Sequence, residues 1–422
     1  YRVTIQQGNV LTQDMVDRDV VIRVEFLDAD LYVTAFEDIT TVRVREPFVN
    51  VSVESNMMIP EGSTPYASAP LDYDADGDED FVISYDGGLA QLYKNDFDQF
   101  THSIGFIDRS TQDLGSGSEQ DTRGVNRIDA NNDGAVDVFL ASGTGDAKLF
   151  LGSTTTPGDL TAQAPPVTFA NVEVDSVLSA AWGDYNMDGC LDVYLVRDGT
   201  ATDVLLQGIP ATPIQYFDAT SLAGINTSNT SETTAAMWAD VDQDTYPDLF
   251  VCWGGTVTAG PDLGWSPFYF NQGPNAQGHF TFVDESSETG AGPSDRGIGR
   301  LGDLVGVDFA DLDSDRNLDI VLASQAGPSA PYGNLIVCLN NGYGGMTAEG
   351  GTIGIDVTED IADVEVTDLD GNGVPDVIGV PKGGGIVRVL MGFGSQAQRT
   401  YVDASAAYEL GTGEAFGVAT AD

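Results

Sequence analysis

Positive charge is scarce in this chain. Over 422 residues the formal charge is −49, and Lys94, Lys148 and Lys382 are its only lysines. Nucleic acid and anionic membrane surfaces are held by clustered Lys and Arg, so neither is an expected partner. Cysteine is scarce too: Cys190, Cys252 and Cys338 stand far apart, with no C-x-x-C spacing. That excludes a disulfide framework and a zinc site, and each is read as a small buried residue. Histidine is limited to His102 and His279, each in a polar connection and outside any H-E-x-x-H pattern. There is no G-x-S-x-G, no phosphate-binding P-loop and no G-x-G-x-x-G after a strand, so no catalytic constellation is predicted. No apolar run reaches the roughly 18 residues that a membrane-spanning helix needs, and membrane insertion is not expected. The start at Tyr1 has no initiator Met, charged n-region or apolar h-region, and reads as mid-chain.

Glycine and aspartate are abundant instead. The 50 glycines imply many turns and argue against long helices. The aspartates recur in register, as "DYDADGDED" at 72–80, "DANNDGAVD" at 129–137 and "DYNMDGCLD" at 184–192. Three further copies follow, "DVDQDTYPD" at 240–248, "DLDSDRNLD" at 311–319 and "DLDGNGVPD" at 368–376. All six fit D-x-[DN]-x-[DN]-x-x-x-D, with first positions 57, 55, 56, 71 and 57 residues apart. A fixed period of this size marks a repeat architecture. Each copy follows a short small-residue run such as "LSAAWGD" or "TAAMWAD". Each precedes a β-branched or aromatic run: "FVIS", "VFLA", "VYLV", "LFVC", "IVLA" or "VIGV". A third strand is predicted in "AQLYKN", "AKLFLG", "DVLLQG", "FYFNQG", "NLIVCLNN" and "IVRVLMG". A fourth is predicted in "GFIDRS", "TFANVEV", "QYFDATS", "FTFVDES", "IDVTED" and "TYVDAS". Four strands per repeat is the content of a propeller blade.

Like charges at this density repel: two carboxylates about 4 Å apart cost roughly 4 kcal/mol at an effective dielectric of about 20. Convergence on one cation removes that cost. Carboxylates at alternate positions around a tight turn supply hard oxygen ligands, the set that selects Ca²⁺. The candidate first ligands are Asp72, Asp129, Asp184, Asp240, Asp311 and Asp368. Third positions are Asp74, Asn131, Asn186, Asp242, Asp313 and Asp370, and fifth positions Asp76, Asp133, Asp188, Asp244, Asp315 and Asn372. Asp78, Ala135, Cys190, Tyr246, Asn317 and Val374 are expected to offer backbone carbonyls. Asp80, Asp137, Asp192, Asp248, Asp319 and Asp376 complete each set at position nine. The competing reading is an Asp-rich turn that caps strands without metal. It weighs most where Thr245 and Arg316 replace the turn Gly, because positive φ is strained there and Arg316 competes with the ion. An EF-hand requires Glu at position twelve. That position holds Ile83, Leu140, Leu195, Val251, Leu322 and Gly379, which excludes one.

These loops, the small-residue strand ahead of them and the "FNQGPNAQGHFTFVDES" type of segment resemble FG-GAP/VCBS repeats over residues 48–422. Such repeats occur in the integrin alpha-subunit headpiece and in bacterial secreted or surface proteins. The resemblance implies an all-β fold, a seven-bladed β-propeller with four-stranded blades and calcium loops between first and second strands. Six blades carry loops. The seventh is expected to be shared, with "FGVATAD" at 416–422 as first strand and 28–36, 41–47 and 48–54 as the others. In the alternative, residues 1–47 are a β segment closing a preceding domain. Trp182 and Trp238 are read as blade packing, whereas Trp253 and Trp265 flank the long insertion and are candidates to face a ligand.

The function expected is non-enzymatic: a calcium-stabilised extracellular or cell-surface module for adhesion, interaction or surface assembly. Its partner would be a protein or glycan on the loop-rich face, including 253–268 and 290–306, with self-assembly through end strands as a variant. The competing class is the scaffold of a secreted enzyme acting on polysaccharides or phosphoesters, with the catalytic part outside this chain.

Overall fold

The computed structural model describes residues 64–96, 105–114, 121–160, 174–198, 201–211, 214–227, 233–254, 266–286, 298, 303–325, 334–348, 357, 359–394, 399–405 and 418, together with the strands of 19–27 and 33–43. The chain divides into two compact units, Tyr1–Asn50 and Val51–Asp422. In the first, β1 (Asp19–Leu27) and β2 (Val33–Arg43) form an antiparallel pair, from Asp19 opposite Arg43 to Leu27 opposite Val33.

The second unit is a β-propeller. Blade one is β3 (Thr64–Leu71), β4 (Asp80–Asp86), β5 (Gln91–Asn95) and β6 (Phe106–Asp108). Blade two is β7 (Thr122–Ile128), β8 (Asp137–Ser142) and β9 (Lys148–Phe150), three strands among the described residues. Blade three is β10 (Val177–Gly183), β11 (Asp192–Arg197), β12 (Val204–Ile209) and β13 (Gln215–Asp218). Blade four is β14 (Thr233–Ala239), β15 (Asp248–Trp253), β16 (Phe268–Pro274) and β17 (Phe280–Asp284). Blade five is β18 (Leu304–Ala310), β19 (Asp319–Ser324), β20 (Leu335–Asn340) and β21 (Met346–Ala348). Blade six is β22 (Ile361–Thr367), β23 (Asp376–Pro381), β24 (Arg388–Phe393) and β25 (Thr400–Asp403). Each sheet runs in chain order, and the first strands of consecutive blades lie side by side.

The count corrects the expected seven blades to six. Of the predicted strands at 28–36 and 41–47, residues 33–36 and 41–43 are instead parts of one strand, β2, whose ladder is taken up by β1, and 28–32 and 44–47 lie outside the described residues. They belong to the smaller unit and not to a closing blade. Residues 48–54, and all of 416–422 except Val418, lie outside the described residues. A second correction concerns blade five, where the fourth strand is Met346–Ala348 rather than "IDVTED". The tight "NNGYGG" turn pairs Asn340 with Met346 directly, so the outer strand follows at once. The predicted fourth strand "TFANVEV" of blade two lies almost wholly outside the described residues.

The core lies between sheets. Each of five apolar clusters draws its side chains from two consecutive blades, as with Phe139 and Leu149 of blade two against Val193, Leu206 and Tyr216 of blade three. The second strands are therefore covered on both faces, and β8, β11, β15, β19 and β23 are buried at every residue. That is why they read as continuous apolar runs instead of alternating ones. Trp182 packs edge-on to Phe139 at 5.3 Å, and Trp238 stacks on Tyr185 at 6.0 Å while its indole N–H donates to the Ala181 carbonyl. Trp253 is buried in β15, and Trp265 lies outside the described residues.

Four seams use the same kind of acceptor, the carbonyl of the second residue of loops one, three, four and five. Asn271 Nδ2 of blade four reaches Tyr185 O at 2.9 Å, and Asn340 Nδ2 of blade five reaches Val241 O at 2.7 Å. Gly158 N donates to Tyr73 O at 3.2 Å, and Tyr401 Oη approaches Leu312 O at 3.5 Å. Asn271 and Asn340 donate their N–H to the ninth Asp from the position where blades two, three and six have Gly152, Gly208 and Gly392. A Cβ on these glycines would lie 2.3–2.5 Å from the carbonyl of Val136, Leu191 or Pro375. In blades three and six a tyrosine, Tyr216 or Tyr401, stands opposite the glycine on the outer strand.

Candidate metal-binding loops

Six acidic loops, numbered one to six with their blades, join first to second strands. Their geometry repeats. The fourth residue is left-handed in every loop: Ala75, Asn132, Met187, Gln243 and Ser314 have φ of 55–63°, and Gly371 has 70°. The sixth is left-handed as well, with Gly77, Gly134, Gly189 and Gly373 at 80–95°, Thr245 at 81° and Arg316 at 75°. These two reversals fold the chain so that alternate side chains converge.

Hydrogen bonds fix the rest. The first Asp accepts the sixth residue's N–H through Oδ2 in all six loops, at 2.7–3.0 Å. The fifth side chain accepts the seventh residue's N–H at 2.7–3.1 Å. The ninth Asp is almost wholly buried and takes two backbone donors. Its Oδ2 accepts from the second loop residue at 2.8–3.3 Å. Its Oδ1 accepts from Asn95, Gly152, Gly208, Asn271, Asn340 or Gly392 on the third strand at 2.7–2.9 Å. It ties loop, second strand and third strand together, a role its spacing alone did not disclose.

Carboxylate oxygens approach within 4.8 Å of one another in four loops: Asp72, Asp74 and Asp80; Asp240, Asp242 and Asp248; Asp311, Asp313 and Asp315; Asp368, Asp370 and Asp376. In loops two and three an Asn, Asn131 or Asn186, replaces the third carboxylate. Three buried oxygens face the clusters without a hydrogen-bond donor, Asp74 Oδ1, Asp240 Oδ1 and Asp311 Oδ1. Loops four and five, where Thr245 and Arg316 stand for the Gly, also lack one bond the others make. Elsewhere the first Asp also accepts the fifth residue's N–H at 3.0 Å; Asp240 and Asp311 do not. An oxygen-rich cradle with unsatisfied acceptors fits a hard cation. Arg316 was expected to compete for that place, but it is exposed and makes no salt bridge among the described residues. In loop one Lys94, not singled out in the sequence, bonds Asp74 and Asp76.

Left-handed φ costs an L-residue about 1–2 kcal/mol, and glycine's extra chain entropy returns about 0.5–1 of that. Thr245→Gly is expected to stabilise the fold by roughly 1 kcal/mol, read as a higher denaturant midpoint. An unchanged midpoint would mean that Thr245 carries no strain.

Burial raises the ninth carboxyls, Asp80, Asp137 and Asp319 to about 7 and Asp192 and Asp248 to about 8. It raises Asp203 and Asp363 to about 7 and Asp308 to about 6 outside the loops. Unfolded Asp titrates near 3.9, so the metal-free fold binds more protons across that window and loses stability as pH rises through it. Metal-free protein is expected to melt at a higher temperature at pH 5 than at pH 8. The opposite order would show that these carboxyls are ionised in the fold.

Residues 129–195 and 311–379 match the model of the FG-GAP-like repeat family. Both matches begin at the first Asp of one loop and end three residues past the next. The chain carries FG-GAP-like repeats. The matched stretches hold loops two, three, five and six. No curated protein matches the chain. Among solved structures, the FG-GAP-like chain is similar to an Agrocybe aegerita lectin described for specific recognition of non-reducing terminal N-acetylglucosamine. Identity is 16%, over 81% of this chain and 79% of that one, with a TM-score of 0.45. It is similar also to BBS1N in complex with ARL6DN, in a mercury-soaked structure (11% identity, 82% and 91% covered, TM-score 0.41) and a lead-soaked one (11%, 82% and 91%, TM-score 0.42). No helix among the described residues of this FG-GAP-like repeat protein is long and apolar enough to cross a membrane.

Proposed function

We propose that the acidic loops bind calcium and that this propeller is a non-enzymatic, calcium-stabilised interaction module working outside the cell or at its surface. The observation that carries the reading is the convergence of carboxylate oxygens in loops four, five and six, with buried oxygens at Asp240 and Asp311 that have no donor. Calcium supplies the missing positive charge, with the first, third, fifth and ninth side chains and the seventh carbonyl as ligands. Sites of this kind in extracellular modules bind at roughly 10⁻⁴–10⁻³ M, so they fill outside the cell and stay empty in resting cytosol. A protein or glycan ligand would meet the loop-bearing side, where Tyr185, Asp188, Gln207, Leu222, His279 and Phe280 line an open cleft of about 170 Å³ beside loop three. Most of the expected segments 253–268 and 290–306 lie outside the described residues.

The test is the calcium content of purified protein after dialysis against graded free calcium. Several ions per chain with half-filling near 10⁻⁴–10⁻³ M are expected. No bound calcium would sink the metal reading. Filling below about 10⁻⁶ M, in the range of intracellular sensors, would remove the argument for an extracellular setting.

A further inference from the structure

Among the described residues, loop one is the one loop whose third and fifth carboxylates pair with a cation. Lys94 lies on β5, one residue before the Asn95 N–H that clamps Asp80. Its ammonium donates to Asp74 Oδ2, and to Asp76 Oδ2 at 2.6 Å. These are the third and fifth positions of the loop, the pair a metal would share. The matching residue in the following blades is Leu151, Gln207, Phe270, Leu339 and Met391, none of them charged. Gln207 confirms the reach from that position, since its Nε2 lies 3.4 Å from Asp188 Oδ2 in loop three. Lys94 is three-quarters buried and Asp74 more so, at 24% and 15% side-chain exposure. The pair is thus screened less than a surface salt bridge. Burial opposes the charge on Lys94, but its bonds to Asp74 and Asp76 outweigh that and hold the ammonium protonated.

We propose that Lys94 is the resident counter-ion of loop one, so that this loop stays without calcium while the other five take it up. The inference rests on the calcium reading above. A metal entering loop one must first expel an ammonium from two charge-assisted hydrogen bonds, the strong class of such bonds. A chain with only three lysines has spent one of them here.

The test compares full-length wild type with Lys94→Met by calcium titration and by melting in chelator, with calcium alone as the probe. Wild type is expected to bind five ions and Lys94→Met six. Asp74→Asn should leave the wild-type count unchanged, whereas Asp242→Asn, at the same position of loop four, should lower it by one. In chelator Lys94→Met should melt below wild type, because Asp74 and Asp76 have lost the cation they share. Six ions in wild type, with none gained in Lys94→Met, would overturn the proposal. So would Lys94→Met melting at or above wild type in chelator. If neither protein binds calcium, the calcium reading falls, and the chelator melts alone decide whether Lys94 is the counter-ion.

Discussion

Chelation is expected to lower the melting temperature of this protein by about 9 °C, the largest effect of any single change of conditions. Each loop filled at about ten times its Kd adds roughly 1.4 kcal/mol by linkage, and five loops roughly 7 kcal/mol. Unfolding entropy of about 2.1 cal/mol/K per residue, over roughly 370 propeller residues, is about 0.8 kcal/mol/K. The ratio of the two gives the shift. Calorimetry in calcium and in excess chelator would measure it. An unchanged melting temperature would mean that the clustered carboxylates are accommodated without metal, through their backbone hydrogen bonds and by protonation. That outcome is physically coherent, since every ninth Asp already has two donors, and it would leave the loops as strand caps.

The largest effect of a single substitution is expected at Asp248. Its carboxylate is buried and accepts from Val241 N at 3.2 Å and Asn271 N at 2.9 Å. Asp248→Ala strands both buried amides, each at about 1–3 kcal/mol, for a total of about 4 kcal/mol. At about 0.8 kcal/mol/K the melting temperature falls by roughly 5 °C. The loss should persist in chelator, because those two bonds do not depend on metal. A loss seen only in calcium would make Asp248 a ligand and nothing more. Asp248→Asn keeps one acceptor oxygen and should fall between the two.

The fold was legible where chemistry repeats at a fixed interval. The second strands announced themselves as unbroken apolar runs because a seam covers each face, as in "VYLV" of β11. The loops announced themselves as carboxylates in register. Blade number was less legible, because the strands assigned to a closing blade had β propensity without a marked partner, and β1 supplied that partner within the smaller unit. Lys94 was missed because its meaning depends on strand pairing, which carries it from β5 to a loop some twenty residues earlier. The Asn or Gly that clamps each ninth Asp was legible in part. Asn95, Gly152, Gly208 and Gly392 follow the ninth Asp by 15 or 16 residues, whereas Asn271 and Asn340 follow it by 23 and 21. What each does became visible only with the neighbouring blade in place.

The second residue of each loop faces two ways. Its amide is held by the ninth Asp of its own blade. In four loops its carbonyl is held by the blade that follows, through Gly158, Asn271, Asn340 or Tyr401. Gln243 adds a link between the same neighbours with the donor reversed, its Nε2 donating from loop four to Arg316 O and Asn317 Oδ1 of loop five. Slackening one loop therefore loosens its own blade and the grip of the next blade along the chain together.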